Sequence, residues 1–238
     1  MKVLACKYTD KGGRKKNEDS VGISKNIYVV ADGLGGHSCG EKASAMAVDY
    51  ILDNYSGLTD IGNDVMHNII SDVNMHIWNE KQNDPSYGNM ASTVVAVFAS
   101  GGLLNYLNVG DSRFYFFRNN ELVVQSRDHS MTQMSVDLGE ITPDCMRFHE
   151  DRSRLTKVLG LNETLRIVER FEPVAAEAGD AFLMCTDGFW EYIDERRMQK
   201  LLRRSKTPRQ WMDSMVRYIS RHVKGSNDNL SAICAMIR

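Results

Sequence analysis

The chain has 238 residues, 42% of them hydrophobic and 25% charged, the balance of a soluble globular protein with a sizeable core. Its formal net charge of −2 excludes the overall basic bias of a nucleic-acid binder. It holds no run of 18 or more apolar residues, so no transmembrane helix is expected.

Val3-Leu4-Ala5-Cys6 has the look of a lipidation box, but only five residues precede Cys6, too few for the apolar stretch of a secretory signal. A first strand over about 3–8 is the better reading. Apolar and β-branched runs at 21–23 and 27–31, broken by Ser24-Lys25-Asn26, predict a hairpin. The glycine-rich turn Asp32-Gly33-Leu34-Gly35-Gly36 follows. Ala43, Met46, Ala47, Tyr50 and Ile51 recur at helical spacing, predicting a helix over about 40–54, and Val65, Ile69, Val73 and Ile77 mark a second. Four strand-like runs come next, at 93–99, 103–109, 113–117 and 122–125. Gly101-Gly102, Gly110-Asp111 and Asn119-Asn120 separate them and read as hairpin turns. Two further strands are expected at 165–171 and 181–186, two helices near 195–204 and 208–222, and a closing strand over about 230–237. Strands that arrive in hairpins and helices that arrive in pairs predict an α+β protein. The arrangement that accounts for every segment is a four-layer α-β-β-α sandwich, two antiparallel sheets flanked by helix pairs. No repeat, low-complexity tract or Pro/Gly-rich linker interrupts the chain, so residues 1–238 are read as a single domain.

The five cysteines, Cys6, Cys39, Cys145, Cys185 and Cys234, are scattered and form no CxxC pair. They are expected as reduced thiols of a cytoplasmic protein, not as a disulfide or zinc framework. The acids are placed more pointedly. Asp32 closes an apolar strand, Asp111 sits between two strands, and Asp187 ends the run Phe182-Leu183-Met184-Cys185-Thr186. Asp228 precedes the closing strand, and Glu18-Asp19 opens the second one. A carboxylate at the end of a buried strand is costly to desolvate unless something positive pairs with it. No matching set of basic residues lies beside these acids, and a divalent cation would answer the need. Asp-Gly is also an ordinary turn dipeptide, so the weight lies in repetition and order.

That order resembles the PPM family, the type 2C metal-dependent protein serine/threonine phosphatases, in its bacterial form. The likeness runs over about 9–238. Its blocks are Asp10-Lys11-Gly12-Gly13-Arg14-Lys15-Lys16-Asn17-Glu18-Asp19, then Ala31-Asp32-Gly33-Leu34-Gly35-Gly36-His37 through Gly40-Glu41. Ser92-Thr93 and Asn108-Val109-Gly110-Asp111-Ser112-Arg113 follow. Asp128-His129-Ser130 comes next, ahead of Gly139-Glu140-Ile141 and Leu155-Thr156-Lys157-Val158-Leu159-Gly160. The last two are Thr186-Asp187-Gly188-Phe189-Trp190-Glu191 and Asn227-Asp228-Asn229-Leu230-Ser231.

The resemblance implies phosphoserine and phosphothreonine hydrolysis by direct attack of a hydroxide bridging two metal ions. Asp32 would bridge them, Asp187 and Asp228 would complete the first site, and Glu18 with the carbonyl of Gly33 the second. Asp111 with Asp187 would hold a third, looser ion. Arg14 would bind the substrate phosphate, its planar fork matching two oxygens, and Asp19 would orient metal-bound waters from behind. All of these ligands are hard oxygens, which favours magnesium or manganese. Where some relatives carry a general-acid histidine directly after the Asp-Gly pair, this chain has Leu34; His37, three positions on, does not inherit the role. Residues 131–154 correspond to a flap-like insertion. The expected partners are phosphorylated proteins, serine/threonine kinases of bacterial type and their targets among them, with no nucleic acid and no membrane, and the chain is expected as a monomer. A phosphatase of small phosphorylated molecules and a non-catalytic phosphoprotein-binding module on the same fold are the alternatives. Phe114-Tyr115-Phe116-Phe117 is read as core strand, Cys39 as a packing residue, and Arg203-Arg204-Ser205-Lys206 as a solvated helix end able to bind a phosphorylated partner.

Overall fold

The structure, a computed structural model, describes residues 1–35 and 39–238; His37 lies outside the described residues. Strands β1 (Val3–Asp10), β2 (Asp19–Ser24) and β3 (Ile27–Leu34) open the chain, followed by helices α1 (Cys39–Tyr55) and α2 (Asn63–Asn83). Both helices carry buried residues at three- and four-residue intervals. Ala43, Ala47 and Ile51 do so on α1, and Met66, Ile69, Ile70, Val73 and Ile77 on α2, which lays each along a sheet face.

Strands β4 (Ala91–Ser92), β5 (Val94–Ser100), β6 (Leu103–Val109), β7 (Arg113–Arg118) and β8 (Glu121–Gln125) come next. Helix α3 (Met131–Asp137) and a 3-10 turn at Pro143–Phe148 follow, then strands β9 (Val174–Ala175) and β10 (Ala181–Cys185). The chain closes with helices α4 (Asp187–Trp190), α5 (Glu195–Leu202) and α6 (Pro208–Ile219) and strand β11 (Leu230–Ile237). Asp194 caps α5 by accepting from the Arg197 amide, and Thr207 caps α6 ahead of Pro208, the side-chain acceptor and first-turn proline that a helix start favours.

One sheet runs β1-β11-β10-β7-β8 and the other β2-β3-β5-β6-β9, with β4 on β3; all pairings are antiparallel. The two-residue period of a strand sorts its side chains into separate cores. Phe114 and Phe116 of β7, with Phe182 and Met184 of β10, join Tyr28, Val30, Val95 and Ile233 between the sheets. Their alternates Tyr115, Phe117, Leu183 and Cys185 pack instead against Phe189, Trp190, Trp211 and Met215 of the last helices. The outer face of the other sheet is covered by α1 and α2. This is the expected four-layer arrangement, and the aromatic run is core strand as expected.

Two expectations fail. Residues 165–171 are not a strand. Leu165, Ile167 and Phe171 do turn inward onto the α1–α2 core, which is the alternation that suggested one. Their backbone finds side chains in place of a neighbouring strand, Phe171 N–H donating to Asn63 Oδ1 and Val168 N–H to Glu169 Oε2. The local strand is β9, two residues on the edge of β6. Nor is Gly110-Asp111 a hairpin. Gly101-Gly102 and Asn119-Asn120 do turn hairpins, all four residues at positive φ, as tight turns require. At Gly110, however, the chain leaves one sheet and enters the other, since β6 and β7 belong to different sheets. That crossing carries Asp111 to the joint between them.

Candidate active site

The ends of the central strands meet at one end of the sandwich. Asp19 on β2 stands directly across the ladder from Asp32 on β3, a like-charge pairing that destabilises a sheet unless it is compensated. The Asp32 backbone is gripped from β4 and beyond: its N–H donates to Thr93 Oγ1 at 3.0 Å, and its carbonyl accepts from Thr93 N–H at 2.8 Å and from the Ser92 hydroxyl at 3.0 Å. Asp187 opens α4, a four-residue helix behind Thr186 that sequence patterning did not reveal. Asn229, two residues into the last block, holds the opening loop: its Oδ1 accepts from the Glu18 amide, and its Nδ2 lies 2.9 Å from the carbonyls of both Lys11 and Lys16. Gly33 must be glycine, because a Cβ there would collide with the Gly40 carbonyl at the start of α1.

Glu18, Asp32, Gly33, Asp111, Asp187, Asp228 and Arg14 therefore line one cavity of about 240 Å³, with Ser153 and Leu155 at its side. Every metal-ligand candidate read from the sequence is in this set. Asp19 stands behind it, its Oδ2 accepting from the buried Thr186 hydroxyl at 3.0 Å. Arg14 is not free toward the cavity. Its Nε and a terminal nitrogen clasp both oxygens of Asp228, at 2.9 and 2.5 Å.

Burial, before any other influence, pushes the carboxyls of Asp32, Asp111, Asp19 and Asp187 above their ordinary range, and their neighbours' negative charge adds to it. Among the described residues, one buried oxygen of Asp19 and one of Asp187 have no hydrogen-bond partner, an expensive condition for a carboxylate. No three Asp, Glu, His or Cys side chains among the described residues close on a single point as they stand; Asp228 faces Arg14, and the remaining acids repel. Orphaned carboxylate oxygens on a cavity of hard donors nonetheless fit divalent cations such as magnesium or manganese.

A pH dependence follows. From the unfolded value of 3.8 up to the raised folded values, about 7 for Asp187 and about 8 for Asp19, the folded state binds more protons than the unfolded one. Stability therefore falls as pH rises through that window. Scanning calorimetry in chelator should give a higher Tm at about pH 6 than at about pH 8, and saturating manganese should flatten the difference. A Tm in chelator that drops on acidification over this range contradicts the cluster.

Two residues that sequence reading passed over complete the surroundings. Trp190 Nε1 donates to the Asp111 carbonyl at 2.9 Å, and its ring carries the Arg113 guanidinium at 3.5 Å. Beneath the crossing, His129 Nδ1 accepts from the Gly110 amide at 3.2 Å and Nε2 faces Glu169 at 3.4 Å. Both residues lay within quoted blocks, but only the fold brings them to Asp111.

A carboxylate cavity with an arginine at its mouth, set where two face-to-face antiparallel sheets meet, defines a site for hard cations and an anionic ligand. Residues 15–232 match the protein phosphatase 2C family, and the chain belongs to that family. The serine/threonine phosphatase stp of Listeria monocytogenes serotype 4b (strain F2365) is 28% identical over 236 residues, covering 94% of this chain and 92% of its own length. The crystal structure of the Mycobacterium tuberculosis serine/threonine phosphatase PstP/Ppp superposes with a TM-score of 0.87 at 26% identity, covering 99% of each chain. Stp1 from Staphylococcus aureus gives 0.83 at 28% identity, covering 100% of this chain and 96% of that one.

Proposed function

We propose that this protein hydrolyses phosphoserine and phosphothreonine on proteins with the aid of bound divalent cations. The observation that carries the reading is the convergence of Glu18, Asp32, Asp111, Asp187, Asp228 and Arg14 on one cavity. A binding module without turnover has no need of the full acid set, so its completeness favours the enzyme. Family membership and the names of the relatives support the same activity.

In this reading Asp32 would serve two cation positions, Asp187 and Asp228 would complete one of them, and Glu18 with the Gly33 carbonyl would complete the other. Asp111 with Asp187 offers a third. Bound magnesium or manganese would supply an activated water for attack on phosphorus and would offset the negative charge of the phosphoryl group as the seryl or threonyl oxygen leaves. Asp19 holds its orientation through Thr186 and serves as an acceptor behind the cavity. Arg14 can offer its fork to a phosphate only once it has left Asp228, so a cation on Asp228 and a substrate on Arg14 reinforce one another. Residues 131–154 act as a flap. Their Arg152 reaches Glu191, four residues past Asp187, at 2.8 Å, and Ser153 lines the cavity.

No helix among the described residues is long and apolar enough to cross a membrane. We place the protein in the cytoplasm as a monomer acting on serine/threonine kinases and their targets. Phosphate release from a phosphothreonine peptide should require manganese, stop on chelation and return on readdition. Equal rates before and after chelation would sink the cation mechanism. A higher kcat/KM on small phosphoesters than on phosphopeptides would point to small-molecule substrates instead.

A further inference from the structure

The net charge of −2 conceals a polarised molecule. Residues 195–224, which hold α5 and α6, carry ten Lys or Arg against Glu195 and Asp213, a net +8 that leaves −10 for the rest of the chain. On α6 and the loop that precedes it lies a groove of about 430 Å³ lined by Arg204, Lys206 and Arg217 together with Gln210, Asp213 and Ser214. The three cations are exposed, and no ion pair to any of them is found among the described residues. Asp213, the one acid of the groove, is taken up by Arg209 at 2.9 Å.

The charge continues toward the active site. Arg217, Arg221 and Lys224 fall at i, i+4 and i+7, and the helical turn persists past α6 through the Val223-to-Ile219 and His222-to-Ile219 backbone bonds. Arg217 and Arg221 therefore form one exposed stripe about 6 Å long, and Lys224 is exposed just past the turn. Four residues beyond Lys224 is Asp228, clasped by Arg14, and the Gly13 amide bonds the Asn227 carbonyl, so the chain runs on from the stripe to the cavity wall.

Like charges crowded on one face repel in the free protein and are relieved by an anionic partner. We infer that the groove on α6 and the loop before it, with the stripe leading from it, docks an acidic segment of the phosphoprotein substrate, apart from the cavity that takes the phosphate to be removed. The inference rests on the phosphatase reading for its choice of partner. Charge complementarity supplies the rest, since a phosphoprotein with Asp, Glu or further phosphates beside its phosphosite meets Arg204, Lys206, Arg217, Arg221 and Lys224 there, and among the described residues Arg14 is the one cation that lines the cavity.

The test compares the wild-type protein with the triple variant Arg204→Gln, Lys206→Gln, Arg217→Gln and a charge-keeping triple, Arg204→Lys, Lys206→Arg, Arg217→Lys. The substrates are a phosphothreonine peptide flanked by acids, the same peptide with Asn and Gln in their place, and p-nitrophenyl phosphate. The neutral triple should raise KM for the acidic peptide at least about fivefold at low salt, with kcat held, because peripheral charges act mainly on encounter. The other two substrates should be unaffected, the charge-keeping triple should behave as wild type, and added salt should erase the difference. An unchanged KM for the acidic peptide, or an equal loss on all three substrates, overturns the inference. Binding of the labelled acidic peptide is read separately by fluorescence anisotropy. Loss of that binding in the neutral triple upholds the docking site even if no substrate is turned over, in which case the catalytic reading alone fails. Loss of binding to an oligonucleotide, to phosphatidylserine vesicles or to a second copy, with acidic-peptide binding intact, assigns the face to another partner and overturns it as well.

Discussion

Asp32→Ala is expected to lower kcat/KM on a phosphothreonine peptide by a thousandfold or more, while leaving the protein folded. Its carboxyl lies under the repulsion of Asp19, Asp187, Asp111 and Asp228 together, which places it at the centre of the acid cluster. In the proposed arrangement Asp32 serves both cation positions, and its removal would take part of each with it. Stabilisation of developing charge by bound cations amounts to several kcal/mol, and about 4 kcal/mol corresponds to roughly a thousandfold in rate. Stability should move the other way. In chelator the substitution deletes a buried, repelled carboxyl, so Tm should hold or rise, the usual exchange of stability against function at such sites. Steady-state kinetics with manganese and calorimetry in chelator read the two effects separately. Activity within tenfold of wild type, or a large fall in Tm, would refute the central placement.

Much of this site was legible because the acids sit at places where patterning changes. Asp32, Asp187 and Asp228 each lie at the junction of an apolar run and a turn, and such junctions survive errors in element boundaries. Asp111 was found with its turn misread: a Gly-Asp pair between two strand-like runs looks the same whether the chain reverses within a sheet or crosses to the next. Choosing between them depends on contacts far away in sequence, such as His129 on the Gly110 amide. The segment 165–171 failed for a related reason. Period-two burial reports which side chains face inward, whereas a strand also needs a neighbour to accept its backbone bonds, and no local signal carries that. Trp190 and Asn229 were visible as letters, yet their roles as donor to the Asp111 carbonyl and as clamp on the opening loop are long-range hydrogen bonds. The Arg14–Asp228 pairing is of the same kind: it joins residues 214 apart in sequence, so Arg14 read alone looks like a surface cation.

The largest effect on stability is expected at a residue outside the cavity. Asp128 grips Arg113 with two hydrogen bonds, 2.8 Å to Nε and 2.7 Å to Nη2, and the two side chains are only 2% and 4% exposed. Arg113 cannot discharge on losing its partner, since arginine keeps its proton at any working pH. Asp128→Ala therefore strands a cation in the core, at a cost of about 3–5 kcal/mol. For a chain of this size that corresponds to a Tm lower by roughly 10 °C. Glu195, 4.0 Å from Arg113, is already engaged by Arg147 and offers little replacement. Replacing both partners, Arg113→Met with Asp128→Leu, removes the buried charge with its counterion and should recover most of the loss, because a buried pair is worth far less than the penalty of breaking it. Equilibrium denaturation of the two single variants and the double variant measures this directly, and an Asp128→Ala cost under about 1 kcal/mol would contradict it. Function separates from stability in the double variant. The Arg113 guanidinium lies on the Trp190 ring, and that ring's N–H holds the Asp111 carbonyl. The double variant regains the fold without regaining the cation above Trp190, so its activity should recover less completely than its stability.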